Sequence, residues 1–192
     1  MYKYIKRFFD VLLSLIFLII LFIPMIIIML LIIIIDKEKP IFSQIRTGKN
    51  GKEFRLYKFR SIGKDKKYTK VGKILRKTSL DELPQMFNIL IGNMSFVGPR
   101  PWIIDYYEYM NDYQRRRVEV LPGITGLAQV NGRNGISIFD KIEYDIKYIE
   151  NYSFITDMRI IFKTIYVIIK KENIDLDEKG IKGEIELLKK QK

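Results

Sequence analysis

The run Val11 to Ile35, VLLSLIFLIILFIPMIIIMLLIIII, is 25 residues long, carries no charge and is interrupted only by Ser14 and Pro24. At about 1.5 Å per helical residue it is long enough for a hydrocarbon core of about 30 Å, so the sequence holds this protein in a membrane. The run is too long for a signal peptide, and no small-residue cleavage site follows it. Whether it crosses the bilayer is a separate question. Pro24 lies near its middle and frees a backbone carbonyl. Lys3, Lys6 and Arg7 precede the run, and Lys37 and Lys39 follow it. Positive charge on both flanks suits a re-entrant hairpin with both ends on one face, whereas hydropathy alone suits a kinked spanning helix. The residues leave both open.

At 192 residues the chain has room for one domain plus attachments. It contains no cysteine and no histidine. Disulfide frameworks, thiolate metal sites, the Ser-His-Asp triad, the Cys-His pair and the zinc protease motif are all excluded. Acid-base or nucleophilic chemistry then falls to Asp, Glu, Lys, Tyr, Ser or Thr. The net charge is +12, and most of it is local. Arg46 to Lys77 holds thirteen Lys and Arg against Glu53 and Asp65, a net +11. Such a block attracts phosphate, whether in nucleic acid, lipid headgroups or a phosphorylated small molecule. A merely solvated basic face is the plain alternative.

Beyond Asp36, IFSQIRTGKNGKEFRLYKFRSI predicts two strands around Gly48-Lys49-Asn50-Gly51. Phe54, Leu56 and Phe59 would face the core, with Arg55, Lys58 and Arg60 pointing elsewhere. A basic helix is expected over Thr69 to Lys77. TSLDELPQMFNIL then sets Asp81 beside Glu82. Ser79 with Glu82 fits a capping box, and acidic side chains suit the positive end of a helix dipole. That helix would run from about Leu83 to Leu90 and stop at Gly92, with Pro84 in its first turn and Asp81 or Ser79 at the cap.

In NMSFVGPRPW, Arg100 stands between Pro99 and Pro101, a stiff support for a guanidinium that grips phosphate. A helix over about Trp102 to Val118 would stack Trp102, Tyr106, Tyr109 and Tyr113, either at a membrane interface or in a core. LPGITGLAQVNGRNG carries four glycines with Gln129 and Arg133 as candidate ligand contacts. Glycines let a backbone approach a ligand and turn its N–H groups toward phosphate. The loop is neither a Walker loop nor a dinucleotide fingerprint. Ser137 is expected to cap a helix bearing Asp140, Glu143 and Asp145. Phe154 to Ile169 is apolar but interrupted by Asp157, Arg159 and Lys163, which suits an interface or a core better than a span. Lys170 to Lys192 is charged and expected to fray.

FSQIRTGKNGKEFRLYKFRSI, SLDELPQMFNILIGNMSFVGPRP and LPGITGLAQVNGRN together resemble the bacterial sugar transferases called monotopic phosphoglycosyl transferases, the small single-domain members above all. The resemblance runs from about Lys3 to Ile169 in unbroken order. It implies transfer of a sugar-1-phosphate from a UDP-sugar to polyprenyl phosphate, usually undecaprenyl phosphate, with release of UMP. It also implies a place at the start of surface-glycan assembly, on the cytoplasmic face of the bacterial inner membrane. By position, Asp81 becomes the nucleophile and Glu82 its partner near Mg2+. Lys58, Arg76, Arg100 and Asp157 fall on functional polar positions. The implied partners are the UDP-sugar, undecaprenyl phosphate and membrane lipid, with no nucleic acid and with room for a homodimer.

The implied fold is α+β, mainly helical with a small hairpin or sheet and interfacial amphipathic helices. Residues 1–36 would form a re-entrant helix-break-helix, 37–170 the catalytic domain and 171–192 a charged tail. Two features depart from the family pattern. Ile23 precedes Pro24 where serine is typical, and the linker between Arg60 and Thr69 is short. A helix N-terminus would keep the Asp81 carboxylate ionised, so the cap and the catalytic readings of the acidic pair are compatible. Two competing functions are a membrane-anchored basic binding protein for nucleic acid or anionic lipid, and a transferase that works in one step without a covalent intermediate.

Overall fold

The computed structural model describes residues 1–132, 135–170 and 180–189. Its fold is α+β, and it divides into two units that are each discontinuous in sequence. Met1, residues 3–44 and residues 55–94 form the first; Tyr2, residues 45–54 and the chain from Ser95 onward form the second.

In the first unit, α1 (Tyr2–Ile20) and α2 (Phe22–Leu31) meet at Leu21, whose backbone is no longer helical (φ −90°, ψ 4°). A π-helical turn, Ile32–Asp36, extends α2. The two arms are bent by 59°. The break falls three residues before Pro24, because proline has no N–H to offer the Ile20 carbonyl one turn back. Among the described residues no single helix is long and apolar enough to cross a membrane, whereas the bent pair together is. The burial pattern of α1 is inverted relative to a helix made for water. Lys6, Asp10 and Ser14, four residues apart, are buried, while Leu12, Leu13, Ile16, Phe17, Ile19 and Ile20 are exposed. An apolar outer face of that extent suits lipid as its solvent.

The unit's core gathers Met25, Ile32, Phe59, Val71 and Leu75, with Leu18, Leu21 and Leu83 against them. The expected strands form as β1 (Ile41–Thr47) and β2 (Glu53–Phe59), with Asn50 and Gly51 turning the chain at positive φ. Phe54, Leu56 and Phe59 are buried as expected. Lys58 is buried too, because it shares the face of Phe54 and Leu56 in the two-residue alternation.

The basic helix is α3 (Lys70–Thr78), opened by the Thr69 hydroxyl, which accepts from Gly72 N at 3.0 Å. The capping box expected at Ser79 does not form. Ser79 instead ends α3 in the left-handed region (φ 58°), its N–H donating to the Arg76 carbonyl at 3.2 Å. Leu80–Glu82 is a single 3-10 turn, and the following helix, α4, is only Gln85–Leu90, closed by Gly92 at φ 91°. The acidic pair therefore lies before the helix rather than at its cap.

In the second unit, β3 (Ser95–Val97) pairs in parallel with β4 (Gly123–Thr125), Ser95 opposite Gly123 and Val97 opposite Thr125. A Cβ on Gly123 would sit 2.1 Å from Gly98 N, and one on Gly126 would sit 2.2 Å from Gly98 O. Those two glycines admit a second backbone strand at close range, which is the use this fold makes of them.

The helix expected over Trp102 to Val118 is broken into α5 (Ile104–Tyr109), α6 (Asp112–Arg115) and a 3-10 turn, Arg116–Val118. Asn111 causes the break by forming a capping box with Gln114, and so starts a new helix. After α7 (Leu127–Val130), Ser137 caps α8 (Ile138–Glu150) as expected, accepting from Asp140 N at 3.1 Å. α9 (Phe154–Lys170) buries Asp157, Ile160 and Val167, and exposes Phe154, Ile155, Phe162, Ile165, Tyr166 and Ile169.

Part of the tail expected to fray is instead the helix α10 (Gly180–Lys189). It completes a core of Tyr106, Met110, Ile138, Ile142 and Ile146 with Leu188. Glu184 accepts from the Tyr106 hydroxyl at 2.7 Å and from Lys141 Nζ at 2.6 Å. Burial, and then the Glu184 carboxylate, push the Tyr106 phenol far above its usual range.

Candidate active site

Four residues singled out in the sequence meet in the first unit. Asp81, 2% exposed, and Glu82 lie on the 3-10 turn, Lys58 on β2 and Arg76 in the last turn of α3. Lys58 Nζ donates to Glu82 Oε1 at 2.7 Å, with both side chains largely covered. Arg76 Nε lies 3.5 Å from Asp81 Oδ2 and donates to Ser61 Oγ at 2.9 Å. Left-handed Ser79 creates this arrangement. It reverses the chain directly after α3, so the carboxylates return toward that helix's basic last turn, where cations are favoured by the dipole.

The turn is tied down at the far end of α4 as well. Arg7 on α1 donates to the Ile89 carbonyl at 2.6 Å and to the Leu90 carbonyl at 2.9 Å, satisfying helix-end acceptors. Asn88, fully buried, uses its side-chain amide as a strand edge. Its Oδ1 accepts from Tyr57 N at 3.1 Å and its Nδ2 donates to the Arg55 carbonyl at 2.8 Å. It thus ties α4 to the strand that carries Lys58. Neither role is visible in the sequence reading. Arg7 reads there as a flanking charge, and the only sign of Asn88 is an amide set among the apolar residues of QMFNIL.

The remaining candidates belong to the second unit or lie outside the described residues. Arg100 is half-buried in its proline frame. Gln129 Nε2 donates to the Ile124 carbonyl at 2.6 Å, a bond within its own loop. Asp157, 3% exposed, accepts from the hydroxyls of Tyr2 and Tyr148, and Tyr148 also reaches the Val97 carbonyl at 3.2 Å. Burial, followed by the Asp157 charge, raises the Tyr148 phenol far above its usual range, so it stays a donor. Asp157 therefore serves as an internal cross-link in this structure. Arg133 lies outside the described residues.

Among the described residues no group of three or more acidic side chains could hold a metal ion unaided. Asp81 and Glu82 offer hard oxygen atoms. Mg2+ commonly takes one or two carboxylates and completes its shell with phosphate oxygens and water. Such a pair of hard oxygen donors is of the kind that suits Mg2+ rather than zinc.

The family described as bacterial sugar transferase matches residues 1–171 of the chain, a span that includes every candidate above. An uncharacterised sugar transferase of Bacillus subtilis (strain 168) is 44% identical over 144 residues, 69% of this chain and 71% of that protein. The UDP-glucose:undecaprenyl-phosphate glucose-1-phosphate transferase of Klebsiella pneumoniae is 40% identical over 183 residues, 84% of this chain but 39% of that protein. The UDP-N-acetylgalactosamine-undecaprenyl-phosphate N-acetylgalactosaminephosphotransferase of Aeromonas hydrophila is 39% identical over 188 residues, 88% of this chain and 44% of that protein. The chain thus spans less than half the length of the latter two relatives.

Proposed function

Because the chain belongs to the bacterial sugar transferase family, we propose that it transfers a sugar-1-phosphate from a UDP-sugar to polyprenyl phosphate, undecaprenyl phosphate above all. UMP is released, and the product starts the assembly of a bacterial surface glycan. The observation that carries this reading is the cluster in which Lys58 faces Glu82 and Arg76 faces Asp81. It sets one cation suited to phosphate against each of two neighbouring carboxylates, in a chain without histidine.

The reaction runs as two displacements at one phosphorus atom. A carboxylate oxygen of Asp81 attacks the β-phosphorus of the UDP-sugar. The bond from that phosphorus to the UMP oxygen breaks, UMP departs with the electron pair, and a phosphosugar ester remains on Asp81. An oxygen of polyprenyl phosphate then attacks the same phosphorus, and the Asp81 carboxylate leaves. Neither displacement needs a proton moved, so the absence of histidine costs the reaction nothing. Arg76 and Lys58 offset charge on the phosphoryl oxygens, and Arg100 grips phosphate from its stiff loop. Glu82, oriented by Lys58, would hold Mg2+ together with Asp81; when bound, the ion reduces repulsion between carboxylate and diphosphate.

Purified protein with Mg2+ and undecaprenyl phosphate should release UMP from at least one UDP-sugar in a panel. Excess EDTA should abolish release, and added Mg2+ should restore it. Undiminished release in EDTA would remove the metal from the scheme. Salt-sensitive binding of lipid or nucleic acid without any UMP release would favour the basic binding protein instead.

The bent pair α1–α2 is read as a re-entrant segment with both ends on the cytoplasmic face, supported by its basic flanks and its 59° bend. The exposed apolar stripe of α9 is read as lying in a membrane interface. Cysteines introduced at Lys3 and at Lys39 in this cysteine-free chain should be equally protected from an impermeant thiol reagent in intact cells. Labelling confined to one of the two positions means a spanning helix.

A further inference from the structure

Arg117 is 3% exposed and Asp145 2% exposed, and neither has a role in the reaction above. The Arg117 guanidinium makes three kinds of contact. Its Nε and Nη2 donate to Asp145 Oδ2 at 3.0 and 2.7 Å, and Nη2 also donates to the backbone carbonyl of Arg100 at 2.8 Å. Its Cζ lies 3.6 Å from the centroid of the Trp102 ring. Burial holds the Asp145 carboxyl above its usual range, against the opposing pull of the guanidinium beside it. A buried pair of this kind is a weak source of stability compared with apolar residues of the same volume, so its presence asks for another account.

The surroundings supply one. The segment around Arg100 is pinned on both sides, by Gly98 N on the Thr125 carbonyl, Gly123 N on the Pro99 carbonyl and Thr47 N on the Trp102 carbonyl, each at 2.9 Å. Proline rings fix φ at 99 and 101, and Pro101 confines residue 100 to extended backbone. Within that range the direction of the Arg100 carbonyl is still soft, and Arg117 supplies a charged donor to that atom. Asp145 and Trp102 in turn hold the plane of the guanidinium.

From this geometry we infer that the Arg117–Asp145 pair is a positioning device that fixes the Arg100 backbone and hence the direction in which the Arg100 side chain reaches phosphate. The inference rests on Arg100 being a phosphate ligand, as proposed above. Lysine cannot replace Arg117. A single ammonium lacks the planar fork needed to serve Asp145 and the Arg100 carbonyl while stacking on Trp102.

The test is a double-mutant cycle on the full chain in lipid nanodiscs with Mg2+, UDP-sugar and undecaprenyl phosphate. Arg117→Lys should lower kcat/KM by roughly tenfold or more, chiefly through KM for the UDP-sugar. In an Arg100→Ala background the same substitution should change little. Amide hydrogen exchange over residues 98–103 should quicken in Arg117→Lys. Arg117→Met/Asp145→Leu keeps the space filled without buried charge and should retain the fold, yet show the same loss. Equal losses with and without Arg100, or unchanged exchange over 98–103, reduce the pair to an ordinary packing feature and overturn the inference. Normal kcat/KM in Arg100→Ala alone defeats the site reading, and the inference with it, in a variant that leaves Arg117 untouched.

Discussion

Asp81→Asn should lower turnover by roughly three orders of magnitude or more, about 4 kcal/mol of lost transition-state stabilisation, while the protein stays folded. Asparagine has almost the same shape as aspartate and keeps one oxygen toward Arg76. It sits on a 3-10 turn whose backbone bonds, such as Glu82 N to the Ser79 carbonyl at 3.2 Å, do not involve the side chain. An amide is a poor nucleophile, so the first displacement fails. Mass spectrometry of the protein mixed with UDP-sugar, without lipid acceptor, reads this directly. The sugar-phosphate adduct should map to the peptide holding Asp81 and be absent from Asp81→Asn. Near-normal turnover in that variant leaves the acidic pair as structure alone. An active parent that forms no adduct favours the one-step transferase.

The second large effect is on stability. Asn88→Ala removes the partners of Tyr57 N and of the Arg55 carbonyl in one change. Stranding two backbone groups beside a fully buried position should cost about 2–4 kcal/mol. That corresponds to a fall of about 5–15 °C in melting temperature for a chain of this size. Asn88→Asp keeps an acceptor for Tyr57 N but sets a carboxylate oxygen against the Arg55 carbonyl at a fully buried position, so it should fall at least as far as Asn88→Ala. Thermal unfolding of the three proteins checks the order. A melting temperature for Asn88→Ala within about 1 °C of the parent would show that water replaces both bonds without loss.

Asn88 also marks the limit of what the chain reveals before folding. Elements whose signals are local are legible: the Gly48–Gly51 hairpin, the basic helix α3, and α8 with Ser137. The meeting of Lys58, Arg76, Asp81 and Glu82 is anticipated by the family motifs, while spacing alone brings none of them together. Where two local signals compete, the reading fails. Ser79 could open a capping box or close α3, and the left-handed closure prevails because α3 needs an end before the turn. Asn111 wins a helix start inside a stretch that reads as one continuous helix. Asn88 and Arg117 are illegible for a different reason. Their partners lie 31 and 33 residues away for Asn88, and 17 and 28 for Arg117, so only tertiary structure makes their burial worthwhile.

The bond from Tyr2 to Asp157 joins residues 155 positions apart. Ribosomes elongate at roughly 5–20 residues per second, so the phenol of Tyr2 is made roughly ten to thirty seconds before the carboxylate that receives it. The apolar helices α1 and α2 emerge in that interval together with their core partners Phe59, Val71 and Leu75, all of them made before Asp157. The Tyr2–Asp157–Tyr148 link therefore closes only after the N-terminal helices have spent that whole interval without it.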